Sequence, residues 1–566
     1  MRVRIVGAGT MGRGIAQWAA VGGHTVELAD ARRESVSEAV AFVRGMLERA
    51  VAKGRSASAD ADAALARIAE LDDPCAAPGR GGAYAEPPQL VVEAVREDLE
   101  TKAELFAALG EVLPADTVFA TNTSSLSVTG IAARLPDPVR LAGLHFFNPV
   151  PLMKIVEVVP GAATREDIPP KLAAFVESCG HRAVRVADTP GFLVNHVGRG
   201  LVTEALALLE EAVAEPADID AVARDVLGLR MGPFALMDLT GLDVTASVID
   251  RVWRGFQHSD RLRPSPFTAN RVAAGLHGRK TGGGWYAYGP DAPADSGAPA
   301  PAPAGGDPER PVVVAGEGPY ADELRRALAR ARARTRRPQE RPGAGRADAE
   351  QSGSEALLLV PTWGGTVAAA VAREGLPAER TVGVDPLSLT AGRRVLAVTP
   401  ATGARAVRDA AAVLAALDAE PSATATDAAA GQAAPAAPAA PTAPAVTVVR
   451  DTAGSVAQRL LCSVVAVAAS VAERHIAHPA DIDLAVTAGL GYPRGPLAWG
   501  DRLGAARLLD LQRELHATTG DPRYRPTRWI TERAQLGLPL TAPDAPLPGT
   551  TEHGPATPLE DSENSP

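Results

Sequence analysis

The strongest constraint on how this chain can fold is that part of it is written twice. Asp188, Thr189 and Gly191 recur as Asp451, Thr452 and Gly454, "PADID" at 216–220 recurs at 479–483, and Gly232, Pro233, Asp238 and Gly241 recur as Gly495, Pro496, Asp501 and Gly504. The spacing is 263 residues throughout, without a gap. Fixed spacing of this kind marks a duplicated structural unit, so the fold must hold one helical block two times. At roughly 100–200 residues per domain, a chain of 566 residues has length for three or more folded units.

The rest of the chain follows the same rhythm. Residues 1–186 alternate short Val/Ile/Leu runs with helical patterns, as a parallel sheet covered by helices requires. Residues 187–289 are helical. Residues 310–420 return to short apolar runs, "VVVAG", "ALLLV" and "RVLAV", and residues 446–540 are helical again. The Pro/Ala/Gly stretch 290–309, the Ala/Pro stretch 421–445 and the tail 541–566 bury too little apolar surface to offset their ordering entropy and read as two linkers and a loose end.

Composition narrows the class. Apolar residues make up 46% and charged residues 22%, the balance of a globular protein. No uninterrupted apolar run reaches about 18 residues, so no membrane-spanning helix is expected. The net charge of −10 disfavours a nucleic-acid surface, and the basic run "RALARARARTRRPQER" has no interleaved aromatics. Three widely separated cysteines fit neither a disulfide framework nor a metal cluster. Together with the absence of a leader pattern at the start, they point to a cytoplasmic protein.

The first strand pattern, 2–6, runs into Gly7-Ala8-Gly9-Thr10-Met11-Gly12 and then a helical pattern. The first glycine permits the tight turn, the second lets the backbone approach a pyrophosphate, and the third lets helix and strand pack. Asp30 ends the next strand pattern, where an acid binds a ribose 2′-hydroxyl and repels a 2′-phosphate, favouring NAD over NADP. Arg32 and Arg33 nearby weaken that preference, and Asp30 also suits a helix cap.

"LAGLHFFNPVPLMKIVEVV" places His145 at the end of an apolar strand and Glu157 in the next one. Alone, His145 reads more readily as a structural histidine. A carboxylate among Ile155, Val156, Val158 and Val159 needs a partner, however. A turn at 148–151 would set Glu157 beside His145 as base and orienter. In "TVFATNTSSLSV", Asn122, Thr123, Ser124 and Ser125 either cap a helix or, with Ser124 at a strand end, face a ligand. Asn195 follows "DTPG" on an otherwise apolar helical turn.

These motifs, with "NTSSL", "GLHFFNPVPLMKIVEV", "DTPGFLVN" and "GRKTGGGWY", closely resemble the 3-hydroxyacyl-CoA dehydrogenase family, bacterial 3-hydroxybutyryl-CoA type, nearly continuously to about residue 290. The resemblance implies a Rossmann NAD-binding domain plus an all-α C-terminal domain, here followed by a degenerate Rossmann-like segment and a second all-α domain. It implies NAD-dependent oxidation of an (S)-3-hydroxyacyl-CoA by a His145–Glu157 dyad. Ser124 and Asn195 would hold the substrate, with Lys53 near the CoA tail, and Glu97, Lys102, Asn122, Asn148 and Lys280 would lie at the NAD site. A dehydrogenase of a small hydroxy acid, or a silent NAD-binding scaffold, remains the alternative.

In the second half, Gly316-x-Gly318-x-x-Ala321 reads as a relic of the dinucleotide turn. No counterpart of Ser124 or His145 is legible, the Glu157 strand is missing, and Gln458 replaces Asn195. Because the family dimerises through its helical domain, the two helical blocks are expected to pack as an internal pseudo-dimer; a homodimer is the other arrangement.

Overall fold

A computed structural model describes residues 1–78, 86–290, 292–293, 295–335, 356–417 and 444–545. The Ala/Pro stretch 421–445, apart from its end, and the tail beyond residue 545 lie outside the described residues.

The first sheet has eight strands, β1 (Arg2–Val6), β2 (Thr25–Ala29), β3 (Ile68–Leu71), β4 (Leu90–Glu93), β5 (Val118–Thr121), β6 (Leu141–Phe146), β7 (Ile155–Pro160) and β8 (Arg182–Arg185). They lie in the order β3-β2-β1-β4-β5-β6-β7-β8. Their near-continuous apolar runs reflect helices covering both faces. Every neighbouring pair is parallel except β6 and β7. Only residues 147–154 connect those two, and a parallel return needs a crossover of about a dozen residues or more. The short connection therefore forces the antiparallel pairing that sets His145 opposite Glu157.

The second sheet has five strands, β9 (Val312–Val314), β10 (Leu357–Pro361), β11 (Thr381–Val384), β12 (Arg393–Val398) and β13 (Ala445–Arg450), in the order β13-β12-β11-β10-β9. Its one antiparallel pair is β11·β12, followed by the parallel pair β12·β13. That pattern superposes in order and direction on β4 to β8. Two expectations are thereby corrected. The glycines at 316 and 318 follow β9, which occupies the β4 position, so they belong to the β4-type connection and are no relic of the nucleotide turn. Counterparts of β1 to β3 do not occur among the described residues. The strand that carries Glu157 is also not missing: it is β12, with Val395 at the position of Glu157. A glycine-bearing strand–helix turn is common to both places; only the direction of the neighbouring strands tells them apart.

The helical blocks repeat down to backbone detail. Phe192 and Ser455 hold φ 47° and 49°, and Ala212 and His475 hold φ 53° and 52°. Left-handed conformations at non-glycine residues are uncommon, so paired occurrences at one offset record a common ancestor. Asp220 accepts from the amides of Phe234 and Ala235; Asp483 does the same for Leu497 and Ala498.

The two blocks pack on each other through the helix Val194–Glu210 and its counterpart Ser455–Glu473. At the crossing, a Cβ on Gly200 would stand 3.0 Å from the Ser463 carbonyl, and Ser463 Oγ donates to the Gly200 carbonyl at 2.8 Å. Gly200 and Ser463 are counterparts in the repeat. A residue touching its own copy marks a pseudo-two-fold axis, the geometry of an isologous dimer within one chain. Arg459 crosses the same joint to Glu204 at 2.6 Å, both fully buried, and Arg261 donates to the Arg523 carbonyl at 2.6 Å. The helix Ser455–Glu473 is long and apolar enough to span a membrane, but nearly all of it is buried in this joint.

Candidate active site

The order of strands reverses between β1 and β4, and ligands of open α/β sheets bind beyond the carboxyl ends at such a switch point. The loops Gly7–Gly12, Ala94–Asp98, Asn122–Ser125 and Phe147–Asn148 follow the ends of β1, β4, β5 and β6 respectively. Three of the sequence motifs and the loop that carries Glu97 thus meet at one crevice.

The nucleotide turn fits its cofactor. A Cβ on Gly7 would collide with the Ala94 carbonyl and one on Gly12 with the Gly7 carbonyl, whereas one on Gly9 would meet nothing within 4 Å. The open space is on the side where a pyrophosphate approaches. Gly9 caps the helix Thr10–Val21 with no side chain, which leaves the first-turn amides of Thr10, Met11 and Gly12 to an anion. Asp30 accepts from the Ala8 amide at 2.8 Å and the Arg32 amide at 3.0 Å, so the glycine turn itself orients the carboxylate. The sequence had offered a helix cap or a ribose ligand; the contact to Ala8 joins the acid to the turn.

His145 Nδ1 lies 2.5 Å from Glu157 Oε2, with His145 4% and Glu157 0% exposed. Glu157 Oε1 accepts from the amides of Leu193 at 3.1 Å and Val194 at 2.8 Å. Those amides open the helix Val194–Glu210, whose positive end stabilises the buried carboxylate. This second partner was not legible in the sequence. The arrangement fixes the ring with Nε2 turned outward as the available base, between Phe147 and Phe192, whose centroids lie 4.5 and 5.6 Å away. Asn195 sits half-buried on the first turn of the same helix.

Glu97 gathers the β5 loop, accepting from Thr123 Oγ1 at 2.6 Å, the Ser124 amide at 3.0 Å and Ser125 Oγ at 2.6 Å. Burial would raise its carboxyl, but Ser125, Thr123 and Lys102 outweigh burial and hold it below the usual range. Lys102, 1% exposed, bonds Glu93 at 2.5 Å and reaches Glu97 at 3.3 Å. It is an internal charge that braces the crevice wall. Burial pushes Glu93 up, against the pull of Lys102 and Thr121. Glu93 and Asp188 escaped sequence reasoning. Asp188 accepts from the amides of Val128 and Thr129, and it is Ser127, not Ser124, that caps that helix. The Ser124 side chain is left exposed at the crevice.

Asn122 Oδ1 takes the Phe146 amide at 2.9 Å and ties the ends of β5 and β6 together; Asn148 is exposed in the following turn. Lys53 is exposed at the end of the helix Arg33–Ala52. Lys280 lies on the helical block, paired with Asp243 at 2.6 Å.

Comparison with known proteins agrees with this geometry. Residues 2–189 match the 3-hydroxyacyl-CoA dehydrogenase NAD-binding domain, and residues 191–288 and 454–542 each match the C-terminal domain of that family. The chain belongs to the 3-hydroxyacyl-CoA dehydrogenase family. It is 34% identical over 534 residues, covering 94% of this chain and 97% of the relative, to the 3-hydroxyadipyl-CoA dehydrogenase of Escherichia coli. It is 37% identical over 290 residues to a probable 3-hydroxybutyryl-CoA dehydrogenase of Bacillus subtilis, covering 51% of this chain and 97% of that one. A solved Escherichia coli structure described as 3-hydroxybutyryl-CoA dehydrogenase aligns at TM-score 0.76 and 32% identity over 95% of this chain and 98% of that one. The protein is an NAD-dependent oxidoreductase that oxidises a 3-hydroxyacyl-CoA, and the buried His145–Glu157 pair is placed as its dyad.

The second sheet carries the site's counterpart without its chemistry. The register of β11 and β12 puts Asp385 where His145 stands and Val395 where Glu157 stands. Gln458, fully buried, donates to Asp385 Oδ1 at 3.0 Å and the Thr362 carbonyl at 2.9 Å and accepts from Gly364. Burial pushes the Asp385 carboxyl up to about 6.

Proposed function

We propose that this enzyme oxidises a dicarboxylic (S)-3-hydroxyacyl-CoA such as 3-hydroxyadipyl-CoA to the 3-oxoacyl-CoA, in the breakdown of aromatic or fatty acids. The observation that carries the reading is the two-copy architecture, shared end to end with the relative named for that substrate. The equally long solved structure named for 3-hydroxybutyryl-CoA supports the second reading, a short neutral acyl chain. Three free cysteines fit a reducing cytoplasm.

When bound, NAD supplies the acceptor for the hydride that leaves C3. The amides after Gly9 would hold the pyrophosphate and Asp30 the ribose, with Glu97, Asn122, Asn148 and Lys280 completing the nucleotide site, Lys102 bracing it from within, and Lys53 meeting the CoA tail. His145 Nε2 removes the hydroxyl proton as C3 is oxidised. Glu157 keeps Nδ1–H pointed away from the substrate and balances the charge the ring acquires. Ser124 and Asn195 hydrogen-bond the substrate oxygens and fix C3 for transfer.

Steady-state NADH formation with C4 to C10 and dicarboxylic 3-hydroxyacyl-CoAs tests the reading. The expected result is the highest kcat/KM with 3-hydroxyadipyl-CoA; a maximum at 3-hydroxybutyryl-CoA would establish the second reading. Glu157→Gln is expected to lower kcat about 100-fold or more with little change in the KM for NAD. An unchanged kcat would remove Glu157 from the mechanism.

A further inference from the structure

Arg199 lies one helical turn beyond Asn195 and has no anionic partner among the described residues. Its Nε donates to the Asn195 carbonyl at 3.0 Å, which holds the side chain along the helix toward the substrate-facing turn. Among the described residues no carboxylate stands within ion-pair distance of the guanidinium. Burial pushes its pKa down to about 10, opposed only by Tyr492. Two arginines of this joint are paired with carboxylates, Arg459 with Glu204 and Glu211 and Arg523 with Glu204 and Asp521, whereas Arg261 is held by backbone carbonyls of the second copy. The side chain of Arg199 is half-buried, and a guanidinium without a counter-ion at the edge of a substrate site is suited to an anion brought by the substrate.

The second helical copy packs against the same stretch of helix. The end of the helix Pro479–Leu490 abuts the start of the helix Val194–Glu210: a Cβ on Gly489 would touch Val194 at 3.3 Å, and one on Gly198 would touch Leu490 at 3.2 Å. Tyr492 follows, 7% exposed. His196, beside Arg199, cannot serve as a second cation: burial, with Arg474 and Arg199, pushes its pKa down to about 3.

We infer that Arg199, beside Leu490 and Tyr492 of the second copy, is the subsite for the terminal carboxylate of the acyl chain. The distances suit a six-carbon diacid. One helical turn separates Arg199 from Asn195, about 5.4 Å, and the side chain reaches back toward the N-terminus. Three carbons beyond C3 span about 4 Å when extended. This inference rests on the dicarboxylate reading, and it gives the duplicated block a part in specificity beyond packing.

The test compares 3-hydroxyadipyl-CoA with 3-hydroxyhexanoyl-CoA, equal in length and lacking the terminal charge, on the full chain. The wild type is expected to favour the diacid. Arg199→Met is expected to lower the diacid-to-hexanoyl ratio of kcat/KM about 100-fold and to raise activity on the hexanoyl substrate, while Arg199→Lys restores part of the ratio. An equal loss on both substrates, or no loss on either, would overturn the subsite. If Arg199→Met does not fold, the wild type decides alone: preference for the hexanoyl substrate overturns the subsite, and preference for the diacid that weakens with rising salt supports it. Inactivity of the wild type on every 3-hydroxyacyl-CoA would count against the proposed function instead.

Discussion

The two sheets place the same pair of positions opposite each other and fill them differently. In the first, His145 faces Glu157, whose second oxygen is held by the amides that open a helix. In the second, Asp385 faces Val395, and Gln458 from the matching helix closes the gap. The framework that builds a site therefore survives without the site. The capping aspartates show the same thing: Asp188 and Asp451 each take two amides from the helix that follows the strand next to the dyad position. Retained "DTPG" and "DTAG" preserve this clamp between sheet and helical block, and only the first clamp stands beside a catalytic base.

The sharpest way to break the comparison is to disable each centre in turn. His145→Gln is expected to reduce turnover about 1,000-fold or more, whereas Asp385→Asn leaves it within about threefold, read as NADH formation; comparable losses would mean that both sheets do chemistry. Next in size is the joint between the copies. Burial would raise the Glu204 carboxyl, but Arg459, Arg523 and Tyr524 outweigh it and hold the pKa below 4.5. Its stabilisation is full above the ordinary value and is lost as pH falls through the lowered folded value. Glu204→Gln is expected to cost about 3–5 kcal/mol at pH 7 and to flatten the acid limb of a denaturation series.

The smallest effect concerns the paired acids Asp220 and Asp483, both pushed up to about 6 by burial. The folded state holds their protons more tightly than the unfolded state, so their contribution falls as pH rises from about 4 to about 6 and is level above that. Asn variants should lose this slope. Asp220 also accepts from Tyr286 Oη, a bond that Asp483 lacks among the described residues, so Asp220→Asn is expected to cost about 1 kcal/mol more than Asp483→Asn.

Much of the first site was legible because its signals are local. Glycine spacing, a strand-ending acid and a carboxylate in an apolar strand each announce a backbone or charge requirement that neighbours in sequence must meet. The helix start that holds Glu157 was not legible, since Leu193 and Val194 contribute amides and any side chain there carries the same donor. Glu97 and Lys102 were placed only through the family resemblance and Glu93 not at all, because nothing local in the sequence marks them until the ends of two strands are brought together. The second sheet was misread for a related reason. Gly316 and Gly318 carry the local grammar of a nucleotide turn, but the position of a strand in a sheet is set by its pairing partners.

By itself the sequence determined the repeat, the class of fold, the cofactor and the His145–Glu157 dyad, because periodicity, glycine placement and buried charge are properties of short segments. Tertiary structure alone decided that the second sheet copies β4 to β8, that Asp385 and Val395 stand in the positions of the dyad, and that Arg199 is left without a counter-ion beside the second copy. Those facts depend on which distant segments touch, and no short segment records its partners.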